Sequence, residues 1–259
     1  MAYREGSRKP TAKERAAMVT LSKSLDRAYV PGTNVAKVAK VAPPGRLNTR
    51  ALVGARQQRT AGMRVTATPF TERRVTHTPK AAIKIAFAGD VSGSMGSLSE
   101  PLAITRWMVS EAGYQCHAKV GAVLFGSRVY AIQRPGKRVM DIETWSAIDS
   151  TEAPSTAWAF LDQEMRFIKD KNSARFVVWF TDFEFVDERE ADAFWAAMDE
   201  AKKAGVFVIG VVPHENDVPN AGRLGIEHLV VVGRNQPIEV AKEIGAAILK
   251  AVQHGKDRR

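Results

Sequence analysis

The sequence has a single cysteine, Cys116, among its 259 residues. An intramolecular disulfide is therefore impossible, and a cysteine-rich zinc site is excluded. No apolar run approaches the roughly 18 residues of a membrane-spanning helix, and the charged first residues lack the apolar stretch of a secretory signal. We therefore expect a cytoplasmic protein that does not associate with a membrane.

Acidic residues are scarce in the first third of the chain. Residues 1–80 carry 17 Lys and Arg against 4 Asp and Glu, whereas residues 81–259 carry 21 against 24. The net charge of +10 therefore originates in the first third. Such a basic segment suits nucleic-acid phosphates or an acidic protein surface. Its only aromatic residues are Tyr3, Tyr29 and Phe70, so few side chains are available to stack on bases.

Breaker residues interrupt the pattern of this basic segment. Residues 11–29 have the apolar spacing of a helix, but a Pro-Gly pair at 31–32 and a Pro-Pro-Gly run at 43–45 follow. These breakers disfavour a continuous fold before Arg46. We predict a basic extension over residues 1–79, partly helical or disordered, and a folded domain over residues 80–259.

Within that extension, residues 47–59 form a weakly helical pattern. The Thr-rich residues 66–78 contain two prolines and indicate extended chain or an edge strand.

From residue 80 onward, short apolar runs alternate with helical patterns. The runs that predict strands are 83–88, 120–125, 129–132, 175–181, 206–212 and 229–232. The predicted helices are 99–112 (with Gly113 as its C-cap), 156–169, 188–204 and 238–252. This alternation predicts an α/β domain with a Rossmann-like, doubly wound, mostly parallel sheet. Ligands of such sheets bind at the carboxyl ends of the strands.

Asp90, Ser92 and Ser94 form a D-x-S-x-S pattern directly after the first strand of this region. One carboxylate and two hydroxyls can thus point into one small space, and hard oxygen donors of this kind suit Mg²⁺. Asp182, at the end of the most apolar run, supplies a second carboxylate. Thr156, at the start of a predicted helix, supplies another hydroxyl.

This set of residues resembles the metal-ion-dependent adhesion site of von Willebrand factor A (VWA) domains, over roughly residues 80–253. The resemblance implies that Mg²⁺, or Mn²⁺ or Ca²⁺, is bound directly by Ser92, Ser94 and Thr156. It implies that Asp90 and Asp182 act largely through water. One coordination position is then left for the Asp or Glu of a partner protein.

Two loops depart from the pattern of that family. The second loop reads Ala-Pro-Ser-Thr at 153–156 in place of Gly-Gly-Thr, so Ser155 or Thr151 is an alternative to Thr156 as ligand. The third loop has Phe183 and Glu184 where a glycine commonly follows the aspartate. We predict these two residues, together with Trp145 before the second loop, as candidate partner contacts, with core packing as the alternative for the aromatic rings.

The resemblance implies a protein-interaction module without catalysis of its own. Intracellular VWA proteins often work with AAA+ ATPases, as in MoxR-type systems and in the magnesium and cobalt chelatases. Residues 45–52 resemble the segment that precedes the metal-site domain of the chelatase subunit. We therefore expect a non-catalytic subunit or adaptor that docks through its metal onto an AAA+ ATPase or another protein.

Two other functions fit parts of the sequence. The basic segment suits a nucleic-acid-binding or structural assembly protein in which the VWA domain is a scaffold. Ser94, Asp182 and His228 follow the chain order of an α/β-hydrolase triad, but the first glycine of the required G-x-S-x-G elbow is missing. We therefore disfavour hydrolysis.

Overall fold

The computed structural model describes residues 3–28, 33–77, 82–226, 228–233 and 236–257. The chain divides into two compact units. The large unit consists of Met1–Tyr29 together with Ala81–Arg259, and the small unit is Val30–Lys80. This division differs from the predicted boundary between residues 79 and 80, because the first 29 residues belong to the large unit.

Strands and helices are interspersed along the whole chain. The strands are β1 (Arg4–Arg8), β2 (Thr33–Lys40), β3 (Arg46–Leu47), β4 (Phe70–His77), β5 (Ile83–Asp90), β6 (Lys119–Phe125), β7 (Val129–Gln133), β8 (Ile142–Trp145), β9 (Ala174–Phe180), β10 (Phe207–Val212) and β11 (His228–Val231). The helices are α1 (Ala12–Ala28), α2 (Thr49–Thr60), α3 (Ser99–Gln115), α4 (Pro154–Met165), α5 (Glu188–Lys203), α6 (Val218–Arg223) and α7 (Pro237–Asp257). Among the described residues, no helix has the length and apolarity that crossing a membrane requires.

The central sheet of the large unit has the strand order β11-β10-β9-β5-β6-β7. All of its neighbouring strands run parallel except β7, which pairs antiparallel with β6. The central strands β5, β6 and β9 are buried along nearly their whole length. Strands read as continuous apolar runs when both faces of a sheet are covered, which is the pattern of the sequence. The predicted doubly wound, mostly parallel α/β fold is confirmed.

Helices pack on both faces of this sheet and create two apolar cores. One core includes Leu21 of α1, Trp107 of α3 and Ile244 of α7. The other includes Trp158 of α4 and Phe194 of α5. The layers therefore leave the carboxyl edge of the parallel strands as the place where loops can gather side chains.

The helix α1 is part of the first of these cores. Met18, Leu21 and Leu25 are 5%, 0% and 1% exposed, and the helix packs against α7 and α3. The strand β1, just before it, pairs antiparallel with β8. The apolar stripe that predicts the helix thus finds its main partner in α7, near the other end of the chain, which is why the predicted boundary excluded it.

The small unit is a three-stranded antiparallel sheet with one helix. Its strand order is β2-β4-β3, and β2 pairs with β4 along all eight of its residues. The residues of β2, which precede Arg46, therefore belong to a sheet that the sequence pattern did not predict. Alternating small and polar residues such as those of β2 carry little apolar signal of their own, and pairing with β4 decides their conformation.

The helix α3 continues two residues beyond its predicted C-cap, Gly113. A Cβ atom added at Gly113 would lie 2.6 Å from Val120 Cγ2 and 3.1 Å from Ile85 Cδ1. The glycine therefore permits the close approach of α3 to β5 and β6, and the helix ends at Gln115 instead.

We predict that Leu21→Ala lowers the free energy of unfolding of the chain by about 2–5 kcal/mol, because a fully buried leucine leaves a cavity. The matched control is Val19→Ala on the exposed side of the same helix, with an expected change within about 0.5 kcal/mol. Urea unfolding followed by tryptophan fluorescence measures both. Equal, small effects of the two substitutions would show that α1 is not part of the core.

Candidate metal centre

The two carboxylates singled out in the sequence lie at the carboxyl edge of the sheet. Asp90 is the last residue of β5, and Asp182 follows β9 by two residues. These strands are hydrogen-bonded neighbours in parallel register, with Gly89 opposite Phe180. The fold therefore brings the first and third predicted loops together.

Asp90 is completely buried at this edge. Its Oδ1 accepts a hydrogen bond from the backbone N–H of Ser92 at 2.8 Å, and its Oδ2 accepts one from Thr181 Oγ1 at 2.6 Å. Burial raises the pKa of Asp90 to about 7, and the negative charge of Asp182 contributes in the same direction. Because its surroundings disfavour the carboxylate form of Asp90, a neighbouring positive charge would stabilise that form.

The two serines of the D-x-S-x-S pattern connect this loop to Asp182. Ser92 Oγ lies 3.1 Å from Ser94 Oγ, and Ser94 Oγ donates a hydrogen bond to Asp182 Oδ2 at 2.7 Å. Ser92 is buried, whereas Ser94 is exposed. The cluster therefore extends from the buried edge of the sheet to the surface, where a ligand can reach it.

The chemistry of these donors fits a hard divalent cation. Among the residues that the structure describes, no cluster of three or more His, Cys, Asp or Glu side chains is suited to a metal. Two hydroxyls and two carboxylates nevertheless lie together here. Contacts of 2.7–3.1 Å connect Ser92, Ser94 and Asp182, and Asp90 is hydrogen-bonded to the N–H of Ser92 and to the Thr181 hydroxyl at 2.8 and 2.6 Å. Mg²⁺ prefers oxygen ligands and retains water at its remaining positions. Ser92, Ser94 and Asp182 would hold such an ion, with Asp90 behind them.

The second loop does not add a hydroxyl to this cluster. Thr156 lies in the first turn of α4 and is exposed, as is Thr151 in the preceding loop. Ser155 Oγ donates a hydrogen bond to Glu190 Oε2 on α5 at 2.6 Å. Within the described residues, the hydrogen bonds between Asp90, the serines and Asp182 include none of these three. Which of them is a ligand stays a prediction.

Glu152 is a carboxylate of the second loop that sequence reasoning missed. Its Oε2 accepts a hydrogen bond from the backbone N–H of Val186 in the third loop at 3.3 Å. Burial raises the pKa of Glu152, and the charges of Asp182 and Glu184 raise it further. Glu152 therefore adds negative charge near Asp182. The only signal in the sequence was its position just before the Pro-Ser-Thr motif.

Asp149 was also missed, and it positions the D-x-S-x-S loop. Its backbone oxygen accepts a hydrogen bond from the N–H of Gly93 at 2.8 Å, and its own N–H donates to the oxygen of Val91 at 3.2 Å. Its buried carboxylate accepts from the N–H and the hydroxyl of Ser127 and from the Tyr130 hydroxyl, at 3.1–3.3 Å. Asp149 thus connects three loops at one edge of the sheet.

Phe183 directly follows Asp182, at the position where the resemblance to VWA domains leads us to expect glycine. Its φ is +56°, in the left-handed region that side chains rarely adopt. The residue is 4% exposed, and its ring packs near those of Phe185 and Phe194 with centroid separations of 6.3 Å. Its N–H donates to Thr181 Oγ1 at 3.1 Å. This burial contradicts the prediction that the Phe183 ring contacts a partner.

The other two predicted contact residues differ in exposure. Glu184 is exposed beside Asp182, and its N–H donates a hydrogen bond to Asp182 Oδ1 at 3.1 Å. Trp145 is the last residue of β8, opposite Arg4 of β1, and it is half-buried against the core. Contacts of Glu184 and Trp145 with a partner stay predictions.

The residues of the alternative hydrolase triad are not assembled. Ser94 donates its hydrogen bond directly to Asp182, the residue that a triad would pair with histidine. His228 begins β11 and lies opposite Ile209 of β10, itself opposite Val178 of β9. The histidine is therefore two strands away from β9 and level with its interior, not with its carboxyl end.

Comparison with known proteins gives structural likeness only. Neither protein-family models nor curated protein sequences match the chain. Similar solved structures include manganese-loaded TRAP protein of Plasmodium vivax (13% identity, 62% of this chain and 72% of that one, TM-score 0.48). They also include BatB of Bacteroides thetaiotaomicron (16%, 66% and 100%, 0.45) and the VWA domain of SpRpn10 (9%, 62% and 93%, 0.44). Solved VWA domains are thus among the structures that this chain resembles in fold.

We predict that Asp90→Asn changes the pH dependence of stability of the chelator-treated protein. Burial raises the pKa of Asp90 to about 7 in the folded protein. The protonated side chain therefore contributes its full stabilisation below about pH 4, and this contribution is lost as the pH rises through 7. The stability of the wild type relative to Asp90→Asn should therefore fall by a few kcal/mol, at most about 4, between pH 4 and 8. Urea unfolding at each pH measures it.

The matched control for this titration is Asp192→Asn, at an exposed position of α5. Its stability relative to the wild type should stay nearly constant over the same pH range. A constant difference for Asp90→Asn as well would contradict the assignment of a raised pKa to Asp90.

We predict that Phe183→Gly is at least as stable as Phe183→Ala, by up to about 1 kcal/mol. Both substitutions remove the buried ring, at a cost of about 3–5 kcal/mol, but only glycine accepts the positive φ without strain. The control pair is Phe185→Gly and Phe185→Ala, at a neighbouring aromatic without positive φ, where alanine should be the more stable. The same order at both positions would contradict the strained backbone at Phe183.

Proposed function

We propose that this protein is a divalent-cation-dependent protein-interaction module of the VWA type, without catalysis of its own. The observation that carries this proposal is the hydrogen-bonded cluster of Ser92, Ser94 and Asp182 above the buried Asp90. A cation held largely by neutral hydroxyls keeps more of its charge for an incoming carboxylate. A partner's Asp or Glu is the group that completes such a centre.

Exposed apolar residues in the same loops support contact with a protein. Ile148 is 60% exposed next to Asp149, and Val186 is 74% exposed in the loop that follows Asp182. Apolar side chains around a charged centre are typical of surfaces that bind proteins. They replace Phe183 as the apolar contacts that we expect beside the cation.

The resemblance of residues 45–52 to the chelatase subunit supports an AAA+ ATPase as the partner. In this proposal the chain is a subunit or adaptor, and the ATPase supplies the carboxylate and the energy. Mg²⁺ is the expected ion, and Mn²⁺ or Ca²⁺ can take the same oxygen donors.

Calorimetric titration of the full chain with Mg²⁺ and with Mn²⁺ tests the metal centre. We expect one ion per chain in the wild type, and loss of binding in Asp90→Ala and Asp182→Ala because each removes a carboxylate from the cluster. Asp192→Ala removes an exposed carboxylate from α5 and should bind as the wild type does. A wild type that binds no ion at millimolar concentration, or a control that behaves like the site variants, would overturn the proposal.

Ser94→Ala tests the interaction separately from charge, since it removes one hydroxyl and leaves both carboxylates. Affinity capture with the wild type, with and without chelator, defines the cation-dependent partners. These should be lost with Ser94→Ala and kept with Asp192→Ala. Partners that bind equally in chelator would show that the interaction does not use the cation.

A further inference from the structure

The positive charge of the protein belongs to the small unit. Val30–Lys80 contains ten Lys and Arg and a single acidic residue, Glu72. The large unit contains 28 Lys and Arg against 27 Asp and Glu. Nearly all of the net charge of +10 is therefore carried by 51 residues that form a compact unit of their own.

The basic residues at the start of the chain serve a different purpose. Three of them form ion pairs within the large unit: Arg4 with Glu143 at 3.0 Å, Arg8 with Glu14 and Glu100 at 2.7 and 2.9 Å, and Lys9 with Asp141 at 2.6 Å. The hydrogen bonds from Arg8 lower the pKa of Glu14, as expected for a carboxylate in an ion pair. The predicted basic segment thus divides into a paired part that holds β1 and α1 and an unbalanced part in the small unit.

Within the small unit, one carboxylate cannot balance ten cations. Glu72 of β4 forms an ion pair with Lys40 of β2. A concentration of like charge on a small fold is unfavourable by itself, and it is relieved when a polyanion binds. The composition of this unit therefore indicates a highly charged anionic ligand.

The arginine-bearing helix α2 is held in place by its N-terminal cap, by hydrogen bonds to a neighbouring loop and by a buried residue. Asn48 caps the helix by accepting a hydrogen bond from the N–H of Ala51 at 3.3 Å. Gln58 accepts a hydrogen bond from the N–H of Thr66 at 3.0 Å and donates one to the Thr66 hydroxyl at 3.0 Å. Ala55 is buried on the inner side of the helix. The orientation of α2 is therefore set before any ligand arrives.

Three arginines of α2 are exposed, namely Arg50, Arg56 and Arg59. Arg56 and Arg59 are three residues apart and so lie on neighbouring positions of the helix surface. We propose that the small unit binds nucleic acid through the phosphodiester backbone, with these three arginines as principal contacts. This site is separate from the cation centre and does not depend on it.

The kind of residues present suits the phosphate groups of a nucleic-acid backbone. Seven of the ten cations are arginines, whose planar guanidinium donates paired hydrogen bonds to phosphate. The unit has one aromatic residue, Phe70, so it lacks the stacking residues that read single-stranded bases. Contacts to the backbone then dominate, and binding should be largely independent of base sequence.

An acidic protein surface is the rival ligand, because Leu52 and Val53 are also exposed on α2. The two ligands differ in a measurable way. Binding to duplex phosphates releases condensed counterions, so the logarithm of the association constant falls linearly with the logarithm of salt concentration. A protein surface with few charges shows a weaker dependence.

The test is fluorescence anisotropy of the full chain with labelled nucleic acids, in chelator and from about 50 to 200 mM salt, a range over which phosphate binding weakens strongly. The probes are two DNA duplexes of unrelated sequence, an RNA duplex and a single-stranded DNA. We expect equal affinity for the two DNA duplexes. Arg56→Gln with Arg59→Gln should lower the salt slope by about 2, one for each phosphate contact removed.

The matched control is Lys169→Gln with Lys171→Gln, which removes the same charge from exposed positions of the large unit. It should leave the salt slope and affinity nearly unchanged. Preference for RNA or for DNA would identify the source of the phosphates. The proposal is overturned by equal losses in both double variants, by absent salt dependence, or by polyglutamate of the same charge binding as tightly as duplex DNA.

Chelator separates this proposal from the function proposed for the large unit. Nucleic-acid binding should persist in chelator and in Asp90→Ala, whereas cation binding should persist in the double arginine variant. Nucleic-acid binding that requires Mg²⁺ and disappears with Asp90→Ala would place the phosphates at the cation centre and contradict the inference.

Discussion

The candidate site depends on two carboxylates held at the ends of adjacent parallel strands. Parallel pairing of β5 with β9 places Asp90 and Asp182 at the same edge, where burial and the nearby charge of Asp182 disfavour the charged form of Asp90. Hydrogen bonds from Ser92 and Thr181 offset only part of that cost, since the pKa of Asp90 is still raised to about 7. A bound cation would offset the repulsion, so this sheet geometry favours a positive charge at the edge.

The surrounding loops are organised to keep this edge in one arrangement. Asp149 joins the D-x-S-x-S loop to the β6–β7 turn through backbone and carboxylate contacts. Phe183 accepts a strained φ of +56° because its ring is buried and its N–H bonds Thr181. Strain of this kind persists only where packing over-determines the backbone, and it occurs most often at functional sites. Phe183 thus adopts a backbone conformation that glycine would adopt without strain, and its buried ring adds packing contacts that glycine could not make.

Local pattern was sufficient for the core of the fold, because buried parallel strands and amphipathic helices are encoded in contiguous residues. The segments β1, β2 and β8 were not predicted, since strands with few large apolar residues are defined by pairing partners elsewhere in the chain. Asp90, Ser92, Ser94 and Asp182 were predicted to meet and do so through the strand register. Glu152 and Asp149 were missed because an acidic residue in a loop carries no signal until the neighbouring loops are placed.

The two proposed sites respond in opposite ways to the same ion. On the proposed function, Mg²⁺ would complete the hydroxyl-rich centre of the large unit and prepare it for a carboxylate, so higher Mg²⁺ would favour the protein partner. On the further inference, Arg50, Arg56 and Arg59 of the small unit would compete with cations for phosphates, so higher Mg²⁺ and ionic strength would weaken nucleic-acid binding. If both proposals hold, one divalent cation would strengthen binding at the nearly neutral unit and weaken it at the strongly basic unit.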